Sequence, residues 1–236
     1  MRDGERSAQQ YDAMADAYAA DVEDGPYNAH YERPNTIALL GDVAGRHVLE
    51  LGCGSGPLTA WLVDHGATVS ALDVSPEMLR LAADRVGRAA SLRVADAAHP
   101  LPFLANSFDL VVGSLVLHYI EAWEPVLREV RRVLRPSGTA VFSTHHPTMD
   151  WLAPPPEDDF PTTSVTEVWE KGTGEFEVTF WRRPLTAMTD AIATAGFVVE
   201  RLVEPEPAPD LAESHPGAYA TLRASPRFLF FRLEPR

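Results

Sequence analysis

The stretch VLELGCGSGPLTAWLVDHGATVSALDVSPEML, residues 48–79, decides the fold. It opens on an apolar run that reads as a buried strand and breaks at once into Gly52, Gly54 and Gly56. A helical pattern follows, then a second apolar run that stops on one carboxylate, Asp73. Bare backbone after a buried strand lets N–H groups approach a ligand without Cβ obstruction. The helix starting near Pro57 adds its positive N-terminal end. A carboxylate seventeen residues beyond Gly56, at the end of the next strand, suits both hydroxyls of a ribose. Together the two features point to a nucleoside, whereas the glycines alone read equally well as a tight strand–helix turn.

Outward from this unit the alternation continues. Apolar strands at 47–51, 68–72, 91–94, 108–113 and 139–143 are separated by helical stretches. Ser75 before Pro76 reads as an N-cap with proline at the first helical position. Met78, Leu79, Ala82, Ala83 and Val86 then share one helix face. In WEPVLREVRRVLRPSG, Trp123, Val126, Leu127, Val130, Val133 and Leu134 form an apolar stripe, and Pro136 with Gly138 is expected to end that helix. Arg128, Arg131, Arg132 and Arg135 lie opposite the stripe and read as solvated. Strands alternating with helices imply an α/β doubly wound, mostly parallel sheet. Its ligands bind beyond the carboxyl ends of the strands, at the switch point. Gly52 to Gly56, Asp73, Asp96 and His118 are thereby expected on one rim.

The flanks are of different texture. YDAMADAYAADV begins a helical region over 11–44, broken at Gly25-Pro26 and resuming from about Asn35 to Leu40. After His146 comes HPTMDWLAPPPEDDFPTT, too rich in proline and acid for regular structure. VTEVWEKGTGEFEVTFW reads as a hairpin turning at Gly172–Gly174. A helix over about 185–195, the strand FVVERLV and a closing RFLFFRL complete the chain. The expected division is an N-terminal helical cap (1–44), a core (45–144), a cap insertion with the hairpin (145–184) and completion of the core sheet (185–236).

Composition narrows the partners. The 236 residues carry 20 Lys plus Arg against 34 Asp plus Glu, a net charge of −14. Such a surface repels phosphate backbones and anionic lipid, so neither nucleic acid nor membrane is an expected partner. Cys53 is the only cysteine, which excludes an intrachain disulfide and a multi-cysteine metal site. The polar start lacks the apolar stretch of a signal peptide, and no run approaches the roughly 18 apolar residues of a membrane span. A cytoplasmic protein, monomeric or homodimeric, is expected.

Three features choose among nucleosides. Pro57 stands where a dinucleotide fingerprint places its last glycine for close helix packing, so a nicotinamide or flavin dinucleotide fits worse. VADAAHPLPF puts Asp96 just past the third strand, where it can accept the adenine amino group; a turn-forming Asp is the competing reading. SFDLVVGSLVLHYI is a strand running into Gly113-Ser114 and then His118-Tyr119. With VLELGCGSG, ALDVSPEML and EVRRVLRPSGTAVFS, these motifs resemble the class I S-adenosylmethionine-dependent methyltransferases over about residues 35 to 145. They look like the small-molecule branch related to ubiquinone and menaquinone biosynthesis and to actinobacterial natural-product enzymes. YNAHYERP, STHHPTMDW and FWRRPLTAMTDAIATAGF look similar to uncharacterised actinobacterial relatives.

The resemblance implies a Rossmann-like, seven-stranded sheet with an antiparallel last strand and S-adenosylmethionine as cofactor. By motif, Glu50 and the backbone of Gly52, Cys53, Gly54 and Gly56 would hold the methionine portion. Asp73 would bind the ribose, Val74 would contact adenine, and Asp96 with Ala97 would read the adenine amino edge. Ser114 would face the methionine amino group, with Tyr11 and Tyr18 on a helix covering the cofactor. Tyr11 reads equally as a half-buried helix aromatic.

Methyl transfer to a hydroxyl, acidic carbon or amine requires loss of a proton, for which a histidine near neutrality is suited. His118 leads, because its position resembles that of the catalytic histidine in related sugar and phenol O-methyltransferases. His145 and His146 follow; on an extended chain they alternate faces, so at most one is expected to point inward. Capping or loop bonding is the competing role for each. No metal site is expected, since neither a thiolate nor an Hx3H helix accompanies them. Tyr31, Arg33, Tyr119, Trp151 and Trp181 are candidates for contact with a small-molecule acceptor. Arg33 and Arg182-Arg183 could pair with an acidic group on it, or serve as surface charge. Two other functions stay open: a binding module that holds the cofactor without turnover, and an NAD(P)-linked oxidoreductase.

Overall fold

The computed structural model describes residues 2–147, 160–172 and 174–236. The apolar runs become strands β1 (His47–Leu51), β2 (Thr68–Asp73), β3 (Ala90–Val94), β4 (Phe108–Gly113) and β5 (Leu134–His145). A separate hairpin, β6 (Thr163–Lys171) with β7 (Gly174–Arg182), precedes β8 (Phe197–Val203) and β9 (Phe228–Pro235). Seven of these strands form one sheet in the order β3-β2-β1-β4-β5-β9-β8. β1 to β5 pair in parallel, while the last strand, β9, runs antiparallel to both β5 and β8. This is the expected Rossmann-like doubly wound sheet. Strand order reverses between β1 and β4, and that crevice is where such sheets bind ligands.

Two apolar layers sandwich the sheet, because successive strand side chains face opposite sides. Val48, Leu110, Val112 and Val141 pack on one face with Leu40 of α2 (Arg33–Leu40) and Leu62 of α3 (Pro57–Asp64). Leu49, Val111 and Phe142 pack on the other with the stripe of α5 (Trp123–Val133) and Ile192 of α6 (Leu185–Thr194). Each such buried side chain contributes about 1.5–3 kcal/mol relative to exposure. The α5 stripe, Trp123, Val126, Leu127, Val130 and Val133, is buried throughout. At α4 (Pro76–Val86), Ser75 caps as its sequence suggests, its hydroxyl accepting the Met78 N–H at 3.0 Å.

Several boundaries differ from the sequence expectation. The first helix, α1 (Asp3–Asp24), begins eight residues before Tyr11, because Glu5 reaches back to the Arg2 backbone in a capping box and Asp3 adds a first-turn acid. A π-helical turn (Asn28–Glu32) leads directly into α2, which starts at Arg33 rather than Asn35. Pro136 and Gly138 do not end α5. The helix stops at Val133, and both residues lie within β5, where its register with β4 shifts between Phe108 and Leu110. A bulge accommodates the proline there, as it has no N–H to give a ladder. The arginines beyond the stripe are not all solvated either. Arg132 donates to the carbonyls of Phe103 and Leu101 at 2.8 and 3.0 Å, and Arg135 pairs with Asp109.

Candidate active site

A cleft enclosing about 1080 Å³, open mouth included, lies over the carboxyl ends of β1, β2 and β4. Its wall carries Glu50, Gly52, Cys53, Gly54, Asp73, Val74, Asp96, Ala97 and Ser114, residues scattered over sixty-five positions of sequence. Gly52, Gly54 and Gly56 all have positive φ, at 68°, 54° and 81°. Each has a different constraint. A Cβ on Gly52 would meet Val116 at 2.6 Å, and one on Gly56 would meet Ala82 of α4 at 3.1 Å. One on Gly54 would meet no atom of the described residues within 4 Å and would stand in the cleft. Gly56, absent from the wall, is therefore a packing glycine as well as the residue before α3.

The acids are buried and tied down. Asp73 accepts the N–H of Gly54 at 2.8 Å and of Ser75 at 2.9 Å, so the glycine loop and the second strand's acid are one hydrogen-bonded unit. Burial pushes its carboxyl above the usual range, opposed by those N–H groups. Glu50 accepts the Thr59 hydroxyl at 2.7 Å, and burial, reinforced by Asp73 and Glu32, pushes its pKa up to about 8. Asp96 accepts the Ala98 N–H at 2.8 Å and lies 3.1 Å from the His99 ring nitrogen. The turn-forming role and a place on the wall therefore coexist in one side chain.

Helix α1 roofs the cleft. Asp12 accepts the Ser75 hydroxyl at 2.5 Å, Gln10 meets Thr179 of β7, and Asp21 pairs with Lys171 of β6 at 2.5 Å. Tyr11 and Tyr18 both line the cleft, their rings edge to face at 5.1 Å. The Tyr11 phenol oxygen lies 2.6 Å from that of Tyr119, a further wall residue from the 3-10 turn Leu117–Tyr119.

The histidines are not on this wall. His118 is buried behind Tyr119, its ring stacked on His145 at 3.7 Å and 4.3 Å from the Tyr119 ring. Burial first, then His145 and Arg183, hold its pKa well below the usual value. The Nδ1 atoms of both His118 and His145 are buried without a hydrogen-bond partner among the described residues. His146, just past the end of β5, points the other way, its Nε2 2.5 Å from Glu204, because successive side chains of an extended chain face opposite sides.

Of the acceptor candidates, Tyr119 and Arg33 line the cleft. Tyr31 does not: it is fully buried, donates to the Pro205 carbonyl at 2.9 Å and stacks on Phe228. Trp181 instead donates its indole N–H to Asp3 at 3.0 Å, fastening β7 to the start of α1. Trp151 lies outside the described residues. Arg183 is likewise structural, stacked 4.5 Å over Trp123 and donating to the carbonyls of Ile120 and Glu121.

Several wall residues escaped sequence reasoning, Glu32 first among them. Glu32, in the π turn, is 2% exposed and accepts hydroxyl hydrogens from Thr36 at 2.6 Å and Ser143 at 2.5 Å. Nothing in YNAHYERP marks it, since a glutamate among polar helix residues is ordinarily solvated. Leu115, with φ 50°, is a second: its strained turn lets its N–H reach the Ser143 hydroxyl at 2.9 Å.

The cleft fits an adenosine bearing a cationic tail. It offers an open backbone edge at Gly54, polar acceptors at Asp73 and Asp96, and buried carboxylates at Glu32 and Glu50. Comparison with known proteins agrees. A methyltransferase-domain family matches residues 49–142. An uncharacterized methyltransferase of Synechocystis is 35% identical over 159 residues, 66% of this chain and 69% of that one. Demethylmenaquinone methyltransferase of Tropheryma whipplei is 32% identical over 127 residues, 54% of this chain and 53% of the relative, so that match spans about half of its length. The crystal structure of an S-adenosylmethionine-dependent methyltransferase from Mesorhizobium loti superposes with a TM-score of 0.69 at 27% identity, covering 86% of this chain and 96% of that one. The chain belongs to the class I S-adenosylmethionine-dependent methyltransferases.

Proposed function

We propose that the protein methylates a small-molecule acceptor at oxygen or carbon, with His118, which lies off the cleft wall behind Tyr119, receiving the acceptor's proton once the Tyr119 ring moves aside. The observation carrying this reading is that one cleft joins the glycine edge and acids of β1 and β2 to Tyr119, whose neighbour is His118. S-adenosylmethionine, when bound, supplies an electrophilic methyl on a sulfonium. The chain's own task is alignment and exclusion of water, and holding partners in line is worth roughly 7–11 kcal/mol in favourable systems. In this reading Asp73 orients the ribose, Val74, Asp96 and Ala97 border the adenine, and Glu50, Ser114 and the Gly52–Gly54 edge hold the methionine portion. The α1 roof, tied down through Tyr11, excludes solvent.

His118 suits proton transfer in that its neutral form is favoured and its Nδ1 has no partner among the described residues, so it can accept a hydrogen bond or a proton. Stacking on His145 fixes the plane of its ring. Net charge −14 argues against a nucleic-acid acceptor. A small acceptor is also consistent with the Tropheryma relative, which is named for methylation of demethylmenaquinone.

The test is incubation with methyl-labelled S-adenosylmethionine and panels of phenols, quinols and carboxylic acids, read by mass spectrometry of the acceptors. Transfer of label to one class, abolished in His118→Ala with S-adenosylhomocysteine binding retained, is the expected result. Cofactor binding with no acceptor methylated and the donor recovered intact would instead identify a non-catalytic binding module.

A further inference from the structure

β8 closes one end of the sheet, and among the described residues only β9 pairs with it. Val198, Val199, Glu200, Arg201 and Leu202 are all exposed, Leu202 to 46% and each valine to 37%. A free edge presents a row of unpaired N–H and C=O groups, a template for another strand. Charges and bulges commonly blunt such an edge, and β8 has both. On β8 they are arranged to fit one particular partner.

From Val198 to Val203 the side chains run apolar, apolar, acid, base, apolar, apolar. Set antiparallel against itself, that order is self-complementary. A twofold axis between Glu200 and Arg201 places Glu200 opposite the partner's Arg201, Val199 opposite the partner's Leu202 and Val198 opposite the partner's Val203. Directly opposed residues share a face of the sheet, a condition that a regular strand would break in this register. The bulge restores it. Val199 aligns with Leu233 and Arg201 with Arg232, so Glu200 is the extra residue. Val199 and Leu202 thereby lie on the face of Leu233 and Phe231, and Val198 and Val203 lie on the other, with Glu234 and Phe230.

The charges are available for such pairing. No carboxylate among the described residues pairs with the exposed Arg201. Glu200 accepts a hydrogen bond from Arg232 of its own chain, and a carboxylate has lone pairs left for a second donor. β3, at the other end of the sheet, offers no such match, since its one charge, Arg93, lies over the Phe103 ring.

We infer that β8 is a self-association edge, on which two copies of this chain pair β8 to β8 about a twofold axis and join their seven-stranded sheets into one. Each contact then occurs twice, as in any isologous interface. The backbone ladder and the apolar pairs supply affinity. The Glu200–Arg201 pairs fix the register, because exposed ion pairs add little whereas like charges set opposite are rejected. β5 and β9 stand between β8 and the cleft, so both clefts stay open in the dimer.

Sedimentation velocity of the full chain over a roughly hundredfold range of concentration should show a monomer–dimer equilibrium. Arg201→Glu and Glu200→Arg each set like charges opposite one another at both crossings, and each should weaken the dimer about tenfold or more. Mixed in equal amounts, the two variants should form a heterodimer, resolved by native mass spectrometry, because acid again faces base across the axis. Melting curves of the separate variants distinguish loss of the Glu200–Arg232 bond from loss of the dimer. If Glu200→Arg does not fold, Val199→Lys and Leu202→Glu make the same exchange: each alone dissociates and the mixture reassociates. A monomer at every concentration overturns the inference in favour of a solvated edge. A dimer indifferent to these substitutions, or variants that fail to reassociate on mixing, overturns it in favour of another interface.

Discussion

Tyr11 and Tyr119 bring their phenol oxygens to 2.6 Å over the cleft that both line, joining the first helix to the turn after β4. Their rings meet nearly perpendicular at 5.6 Å. The roof of the site is thus fastened by a bond between residues over a hundred positions apart, on elements that share no strand ladder.

Breaking that bond should loosen the roof before it unfolds the protein. Tyr119→Phe and Tyr11→Phe are each expected to cost about 0.5–1.5 kcal/mol in urea unfolding. The double variant should cost less than the sum, since both remove one interaction. Amide exchange along α1 should accelerate in all three. Additive losses would show that the hydroxyls act separately.

Glycines 52 and 54 should fail in different ways. Gly54→Val adds its side chain to open cleft, so the protein stays folded, with about 1–2 kcal/mol of left-handed strain, and loses S-adenosylhomocysteine binding. Gly52→Val drives into Val116 and should lower the melting temperature further. Paired melting curves and titrations distinguish them, and equal effects on both readouts would contradict the geometry.

Glu50 makes ligand-free stability fall as pH rises. Its folded pKa of about 8 exceeds the unfolded carboxylate value, so its contribution is complete below about pH 4.3 and is lost as pH climbs through 8. Over that window each pH unit costs up to about 1.4 kcal/mol. Urea titrations at pH 5, 6, 7 and 8 should show this slope, and Glu50→Gln should flatten it. An unchanged slope would assign the dependence to other groups.

The histidine stack works in the opposite sense. Burial lowers His145 to about 3 and holds His118 well below 6.5. Depressed bases contribute stability above their unfolded value, and that contribution is lost as pH falls from about 6.5 toward 3. His145→Asn should therefore reduce acid sensitivity between pH 6 and 4. As proton acceptor, His118 should leave kcat level down to pH 6, and His118→Ala should lower kcat about 10²–10⁴-fold with cofactor affinity intact. A kcat that falls with a midpoint near 6.5 would point to a solvated base.

The βαβ alternation, the glycine edge and the acid ending β2 were legible in the linear sequence because they obey local rules: periodic burial, positive φ, and capping by Ser75. Those rules involve residues close along the chain, so they placed β1 to β4 within a residue at either end and brought Gly52, Gly54, Asp73 and Asp96 to one cleft, whereas His118, expected beside them, is buried behind Tyr119. Local rules fell short wherever a long-range partner chose the outcome. Pro136 and Gly138 lie within β5 because β4 offers a register that absorbs them. Tyr31 and Trp181 turned from the cleft because Pro205 and Asp3 accept their hydrogens. Glu32 became a buried acid only when Ser143, 111 residues away, came to meet it. Backbone geometry and apolar period belong to a segment by itself, whereas the desolvation of a charge depends on everything packed around it. The cofactor class could therefore be read from one stretch of chain, while the buried acid beside the glycine edge emerged only after folding.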